Sequence, residues 1–69
     1  MTVREFADRV GVNPNTLIAW ERRHGALKPA RDSAGRRTYT QVDVDRVQQL
    51  ERLMSAGMTI SQAAKVVRS

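Results

Sequence analysis

The stretch GVNPN, residues 11–15, separates two helix-forming segments and decides how they are joined. Gly11 suits the left-handed conformation that commonly follows the last residue of a helix. Asn13 is a favoured N-cap, and Pro14 suits the first helical position because an amide hydrogen has no partner there. Two short helices joined by so tight a turn are predicted to form a helix-turn-helix.

The helices on either side of this turn have clear ends. Thr2 and Glu5 form a capping box, which predicts a first helix running to about residue 10. The second helix is predicted from Asn15 to about Arg23, with Gly25 ending it. Its inward residues are expected to be Leu17, Trp20 and Glu21. Its outward residues are expected to be Asn15, Ile18, Ala19 and Arg22.

A β-hairpin and two further helices are predicted after Gly25. Two short extended pieces, about residues 27–31 and 37–39, flank the turn pair Ala34-Gly35. A third helix is predicted from a cap at Thr40 to Gly57, and a fourth after the capping box that begins at Thr59. The residues expected to face the core from the first, third and fourth helices are Val3, Phe6, Ala7, Val10, Val44, Val47, Leu50 or Glu51, Met54, Ile60, Ala63, Ala64 and Val67. The predicted fold class is mainly α, in the order helix, helix, β-hairpin wing, helix, helix.

Length and composition favour one small domain over residues 1–69. A chain of 69 residues without cysteine must rely on its apolar core, because neither disulfides nor thiolate zinc sites are available. No apolar run approaches the roughly 20 residues of a membrane span, and the N-terminus lacks the apolar region of a secretory signal. We therefore expect a cytoplasmic protein without a membrane partner.

The net charge of +5 is concentrated in one segment, residues 22–37. That segment has a single acid, Asp32, and its basic residues are Arg22, Arg23, Lys28, Arg31, Arg36 and Arg37. Outside it, acidic and basic residues balance. A local positive field of this kind favours a polyanionic partner, with nucleic acid the usual one and anionic lipid or an acidic protein the alternatives. The alternative without a binding function is a basic segment that only aids solubility.

Five short motifs in register over nearly the whole chain resemble the DNA-binding domain of MerR-type transcription regulators. They lie at residues 2–7 with 11–12, 16–25, 29–31, 35–39 and 43–44. The form W-E-R-R-x-G-x-x-x-P-x-R, which begins at Trp20, is similar to that of the CarA, CarH, LitR and MlrA subgroup. The resemblance implies a winged helix-turn-helix that binds double-stranded DNA in transcription regulation.

The resemblance also implies how each element meets DNA. The second helix would enter the major groove with Asn15 and Thr16 at its start. Arg31, Arg37 and Tyr39 would hold the wing to phosphates on the flanking backbone or minor groove, with Arg36 reaching toward the groove. At position 18 an isoleucine stands where most members of the family carry an arginine. The full set of predicted DNA-binding residues is Asn15, Thr16, Ile18, Ala19, Arg22, Arg23, Lys28, Arg31, Arg36, Arg37 and Tyr39.

The resemblance further implies a longer regulator that reads an inverted repeat as a homo-oligomer, with this domain as its N-terminal part. The isolated domain is expected to be monomeric. Two other functions stay open: an excisionase-type architectural protein that bends DNA, and a basic module bound by an acidic antirepressor protein. Asp43 and Asp45 fit the start of a helix, and His24 fits the end of one. We therefore expect no catalytic site, metal site or cofactor.

Overall fold

The computed structural model describes residues 1–68, so the predicted domain boundary at Ser69 lies outside the described residues. Four helices surround a single core, and a two-stranded hairpin lies between the second and third helices. The helices are α1 (Val3–Val10), α2 (Pro14–His24), α3 (Gln41–Ser55) and α4 (Ile60–Arg68). This order confirms the predicted winged helix-turn-helix class.

The start of α1 and the α1–α2 turn both form as their residues predict. Thr2 Oγ1 accepts a hydrogen bond from the Glu5 amide at 3.2 Å, and Glu5 Oε1 accepts one from the Thr2 amide at 2.9 Å. Gly11 ends α1 in the left-handed region, with φ of 71°. The Asn13 side chain then caps α2. Local hydrogen bonding therefore fixes both helix ends at the turn.

The hairpin wing consists of β1 (Ala30–Arg31) and β2 (Arg37–Thr38), paired antiparallel with Arg31 opposite Arg37. Both strands are shorter than the predicted pieces 27–31 and 37–39. The first is shortened because Leu27 is buried in the core and Pro29 has no amide hydrogen to donate. The second ends early because the Tyr39 backbone pairs with Met1 instead, through two hydrogen bonds of 2.8 Å.

The core collects apolar side chains from every helix and from the segments on both sides of the wing. Its buried residues are Phe6, Ala7, Leu17, Ala26, Leu27, Tyr39, Val44, Val47, Leu50, Ala63 and Ala64. Trp20, predicted to face inward, is half-buried against this cluster. On α3, Leu50 rather than Glu51 joins Val44 and Val47 in the core. The predicted inward position of Met54 is wrong, because Leu53 packs against the core at the end of the helix and Met54 is exposed. Contacts of α4 with α2 and α3 complete the packing that holds α2 in place.

Candidate nucleic-acid interface

The first turn of α2 presents short polar side chains near a helix N-terminus. Asn13 Oδ1 accepts the Asn15 amide at 2.8 Å, so Asn13 caps the helix and the Asn15 side chain is not needed for that role. Asn15 is exposed and Thr16 is half-buried. The positive end of a helix favours phosphate, and short polar side chains can reach base edges from it.

The outward face of α2 continues from Asn15 toward its C-terminal end. Ile18 and Ala19 are half-buried and Arg22 is exposed. Spacings of three, four and seven residues place these four side chains on one side of the helix. The face therefore combines a polar start, an apolar middle that can contact a thymine methyl group, and a cationic end.

Three cations near the C-terminal end of α2 are exposed to solvent. They are Arg22, Arg23 and Lys28. The ion pairs of the basic segment are formed by Arg31, Arg36 and Arg37, whereas Arg22, Arg23 and Lys28 have no acidic partner within residues 1–68. Unpaired cations are the groups that can neutralise phosphates and release counterions without first losing a partner.

The turn of the wing is built around Asp32. Its Oδ1 accepts the amides of Ala34 and Arg36, each at 2.9 Å, and its Oδ2 lies 3.2 Å from the Arg36 Nε. The Arg36 side chain is nevertheless 80% exposed. A side-chain pair this exposed contributes little to stability, so Arg36 stays available for a phosphate.

The base of the wing is joined to α2 through Glu21. Its Oε2 accepts a hydrogen bond from the Arg37 Nε, and its Oε1 lies 3.8 Å from Nη2 of Arg31. The Glu21 side chain is 17% exposed and that of Arg37 is 25% exposed. One carboxylate therefore contacts both wing strands. Together with Arg36, the two arginines also line an open pocket of about 400 Å³ beside the start of α1.

Two predicted DNA-binding residues of the wing lie in different surroundings from those expected. Tyr39, expected to contact phosphate, is only 2% exposed, and its ring stacks on Phe6 with centroids 4.3 Å apart. Its hydroxyl is buried without a hydrogen-bond partner within the described residues. Arg37 is largely covered by its contact with Glu21. Both side chains are covered because the base of the wing packs on the core and on α2.

Sequence reasoning missed the role of Glu21, although a signal was present. An acidic side chain in the C-terminal half of a helix is unfavourable next to the negative end of the helix dipole. Glu21 also precedes two arginines in a strongly basic segment. Such an acid is expected to have a cationic partner from elsewhere in the fold, but the sequence does not say which arginine.

Burial raises the pKa of the Tyr39 phenol above its usual value, and the nearby Glu21 carboxylate raises it further. Since Tyr39 is the only tyrosine, the phenolate absorbance reports on this group alone. The folded protein should titrate above the usual value of about 10. Because the folded state holds this proton more tightly, the contribution to stability is complete below the pKa of the unfolded chain and is lost as the pH rises through the folded value.

The urea-unfolded protein is the reference for this titration. Base-induced unfolding that coincides with phenolate formation would agree with the buried hydroxyl. A folded-state midpoint at or below that of the unfolded protein would contradict it.

The described residues form neither a metal cluster nor a membrane span. Within residues 1–68, no three His, Asp or Glu side chains come together where they could hold a metal ion. In the same range, no helix is long and apolar enough to cross a bilayer.

Comparison with protein families gives a match over the full chain. The family model described as MerR HTH family regulatory protein matches residues 1–69. Similar proteins include the HTH-type transcriptional regulator MlrA of Salmonella typhimurium, which is 37% identical over 68 residues, 99% of this chain. The HTH-type transcriptional repressor CarH of Myxococcus xanthus is 48% identical over 61 residues, 88% of this chain. The repressor CarA of the same organism is 32% identical over 71 aligned positions.

These relatives are considerably longer than the chain. The match spans 28% of MlrA, 20% of CarH and 25% of CarA. Their names are those of transcription regulators and repressors, which is a non-enzymatic role.

Proposed function

The chain belongs to the MerR helix-turn-helix family of regulatory proteins, and we propose that it is the DNA-binding domain of a longer transcription regulator. Membership of this family implies DNA binding in transcription regulation. In the finer proposal, α2 enters the major groove and the wing lies on the flanking backbone or minor groove. The observation that carries it is the outer face of α2, exposed at Asn15 and Arg22, beside a basic hairpin that is joined to the same helix.

The proposed contacts divide into reading and positioning. Asn15, Thr16, Ile18 and Ala19 would lie against base edges, since Asn15 and Thr16 are at the start of α2 and Ile18 and Ala19 continue its outer side from Asn15. The cations proposed to contact phosphates are Arg22, Arg23, Lys28, Arg31 and Arg36. For Arg37 and Tyr39 we propose a supporting role at the base of the wing, because both are largely covered.

We further propose that two copies of the full regulator read an inverted repeat, and that this domain of residues 1–69 acts without a cofactor in the cytoplasm. An acidic antirepressor protein would use the same unpaired cations as DNA. Competition between that protein and a duplex for the domain would identify such a partner. An excisionase-type role would appear as strong bending of one duplex by one domain.

Two alanine variants test the division between positioning and reading. About four to five neutralised phosphates predict a slope of log affinity against log salt of roughly −4 for the wild type. Arg36→Ala should weaken binding to all duplexes about equally and reduce the slope by about one unit. Asn15→Ala should instead reduce the difference between selected and random duplexes by about 1–3 kcal/mol. Fluorescence anisotropy titrations at several salt concentrations measure both effects.

Each variant is the control for the other. Arg36→Ala should leave the difference in affinity between selected and random duplexes unchanged, and Asn15→Ala should leave the salt slope unchanged. A wild-type slope near zero would argue against the basic surface as the DNA-binding face. A change of sequence preference in the wing variant alone would reverse the assignment of the two elements.

A further inference from the structure

Glu21 is a puzzling residue for a surface that binds DNA. Its carboxylate repels phosphate and lies where the helix dipole disfavours an anion. It is nevertheless placed at the junction of the two elements proposed to contact DNA. Removing it would add net positive charge to this part of the surface. A gain in some other contribution to DNA binding must therefore offset the repulsion between the Glu21 carboxylate and the phosphates.

The contacts of Glu21 indicate what that gain is. Arg31 lies in β1 and Arg37 lies in β2, and the two are directly opposite in the hairpin register. A single carboxylate therefore contacts both strands at the same level, from a helix that packs on the core. A two-stranded hairpin with only two paired residues in each strand is marginal by itself. The hydrogen bonds of Asp32 and the bond from Arg31 to the Gly35 carbonyl hold the turn of the hairpin together but do not join it to another element. Beyond Glu21, the hairpin is attached to the rest of the domain by the Met1–Tyr39 hydrogen bonds and the burial of Tyr39.

We propose that Glu21 is a positioning residue for sequence-specific DNA binding: it fixes the wing relative to α2, so that both elements can dock on one duplex together. This inference rests on the proposed function, because it assumes that α2 and the wing both contact DNA. Pre-organisation of this kind contributes to affinity only when both elements are engaged. A complex that uses phosphate contacts alone tolerates a displaced wing.

The proposal predicts opposite effects on two kinds of duplex. In Glu21→Gln, the loss of a negative charge strengthens binding to a random duplex, which is held by electrostatics. On a selected duplex the looser wing weakens binding, and this effect outweighs the gain in charge. A purely electrostatic role for Glu21 predicts stronger binding to both duplexes. A purely structural role predicts weaker binding to both by a common factor, with partial unfolding.

The experiment uses a duplex selected from a random library by the wild-type domain, and a random duplex of equal length. We expect Glu21→Gln to bind the selected duplex about tenfold more weakly and the random duplex up to about threefold more tightly. The control is Glu51→Gln, which removes an exposed carboxylate on α3. It should change the affinities for both duplexes by one small common factor. Thermal unfolding of each variant, followed by circular dichroism, sets a temperature at which all are folded.

A second variant removes the same contact by changing Arg37, the partner of Glu21 in the wing. In an Arg37→Gln background, Glu21→Gln should cause no further loss on the selected duplex, since its main partner is already absent. A full additional loss in that background would overturn the proposal, as would equal factors for the two duplexes in folded Glu21→Gln. If the wild type selects no duplex and binds none with a salt dependence, the proposed function itself fails, which is a distinguishable result.

Discussion

The Phe6→Ala variant is expected to lose a large part of the free energy of unfolding of the domain. Phe6 is fully buried and stacks on Tyr39, with an angle of 9° between the two ring planes. Truncation of a buried phenylalanine typically costs about 3–5 kcal/mol. A domain of 69 residues has a free energy of unfolding of only about 3–10 kcal/mol, at roughly 0.05–0.15 kcal/mol per residue. The loss therefore lies between about a third of this free energy and all of it.

Urea denaturation measures this effect through the fluorescence of Trp20, the only tryptophan. Val42→Ala is the matched control, because Val42 is 66% exposed on the surface of α3 and its truncation should change stability by less than about 0.5 kcal/mol. DNA binding should be lost together with folding, since the Phe6–Tyr39 stack connects α1 to the end of the wing. An unchanged urea midpoint in Phe6→Ala would be incompatible with this core.

The helices could be predicted from the sequence because their ends are set by local chemistry. Thr2 and Glu5 cap α1 within four residues of each other, and Asn13 caps α2 two residues from its hydrogen-bond partner. Thr59 and Gln62 cap α4 in the same reciprocal way. Such contacts depend on spacing along the chain alone, so a sequence motif contains all the information that they need.

The extent of the wing could not be predicted in the same way. Tyr39 pairs with Met1, a residue 38 positions away, and that contact exists only after α1 has packed on the core. An extended sequence pattern does not show which distant part of the backbone will form hydrogen bonds with the strand. The buried position of Tyr39 follows from this contact and from Phe6, whereas the family resemblance placed it among the residues that hold the wing to phosphates.

The candidate site was predicted as a set of residues rather than as a set of contacts. The charge pattern and the family resemblance marked the basic segment, and the structure keeps Arg22, Arg23, Lys28, Arg31 and Arg36 exposed. The pairing of Glu21 with two arginines was not predicted, because Arg37 lies 16 positions away from it. The wing base packs against α2, and this packing decides which cations of the basic segment are covered and which stay exposed.

Joining two copies of the domain should raise affinity for an inverted repeat by about 10²–10⁴. One domain can read only one half-site, so its binding at physiological salt should stay near the micromolar range, close to the 10⁻⁴–10⁻⁶ M that is typical of non-specific binding. The described part of α4 uses Ala63 and Ala64 for the core and half-buries Ile60 and Val67 against it, which leaves no heptad seam for a partner. We therefore expect residues 1–68 to contribute little to self-association.

The test fuses the domain to a foreign parallel coiled coil through a short flexible linker. Binding is measured to one half-site, to the selected inverted repeat, and to that repeat with its spacing shifted by about five base pairs, half a helical turn. A tethered second domain acts at an effective concentration of about millimolar, but only where both half-sites face it. The gain should therefore vanish on the shifted repeat and on the single half-site. Equally tight binding by the unfused domain would instead indicate an architectural protein that needs no second copy, because one domain would then make every contact that the complex requires.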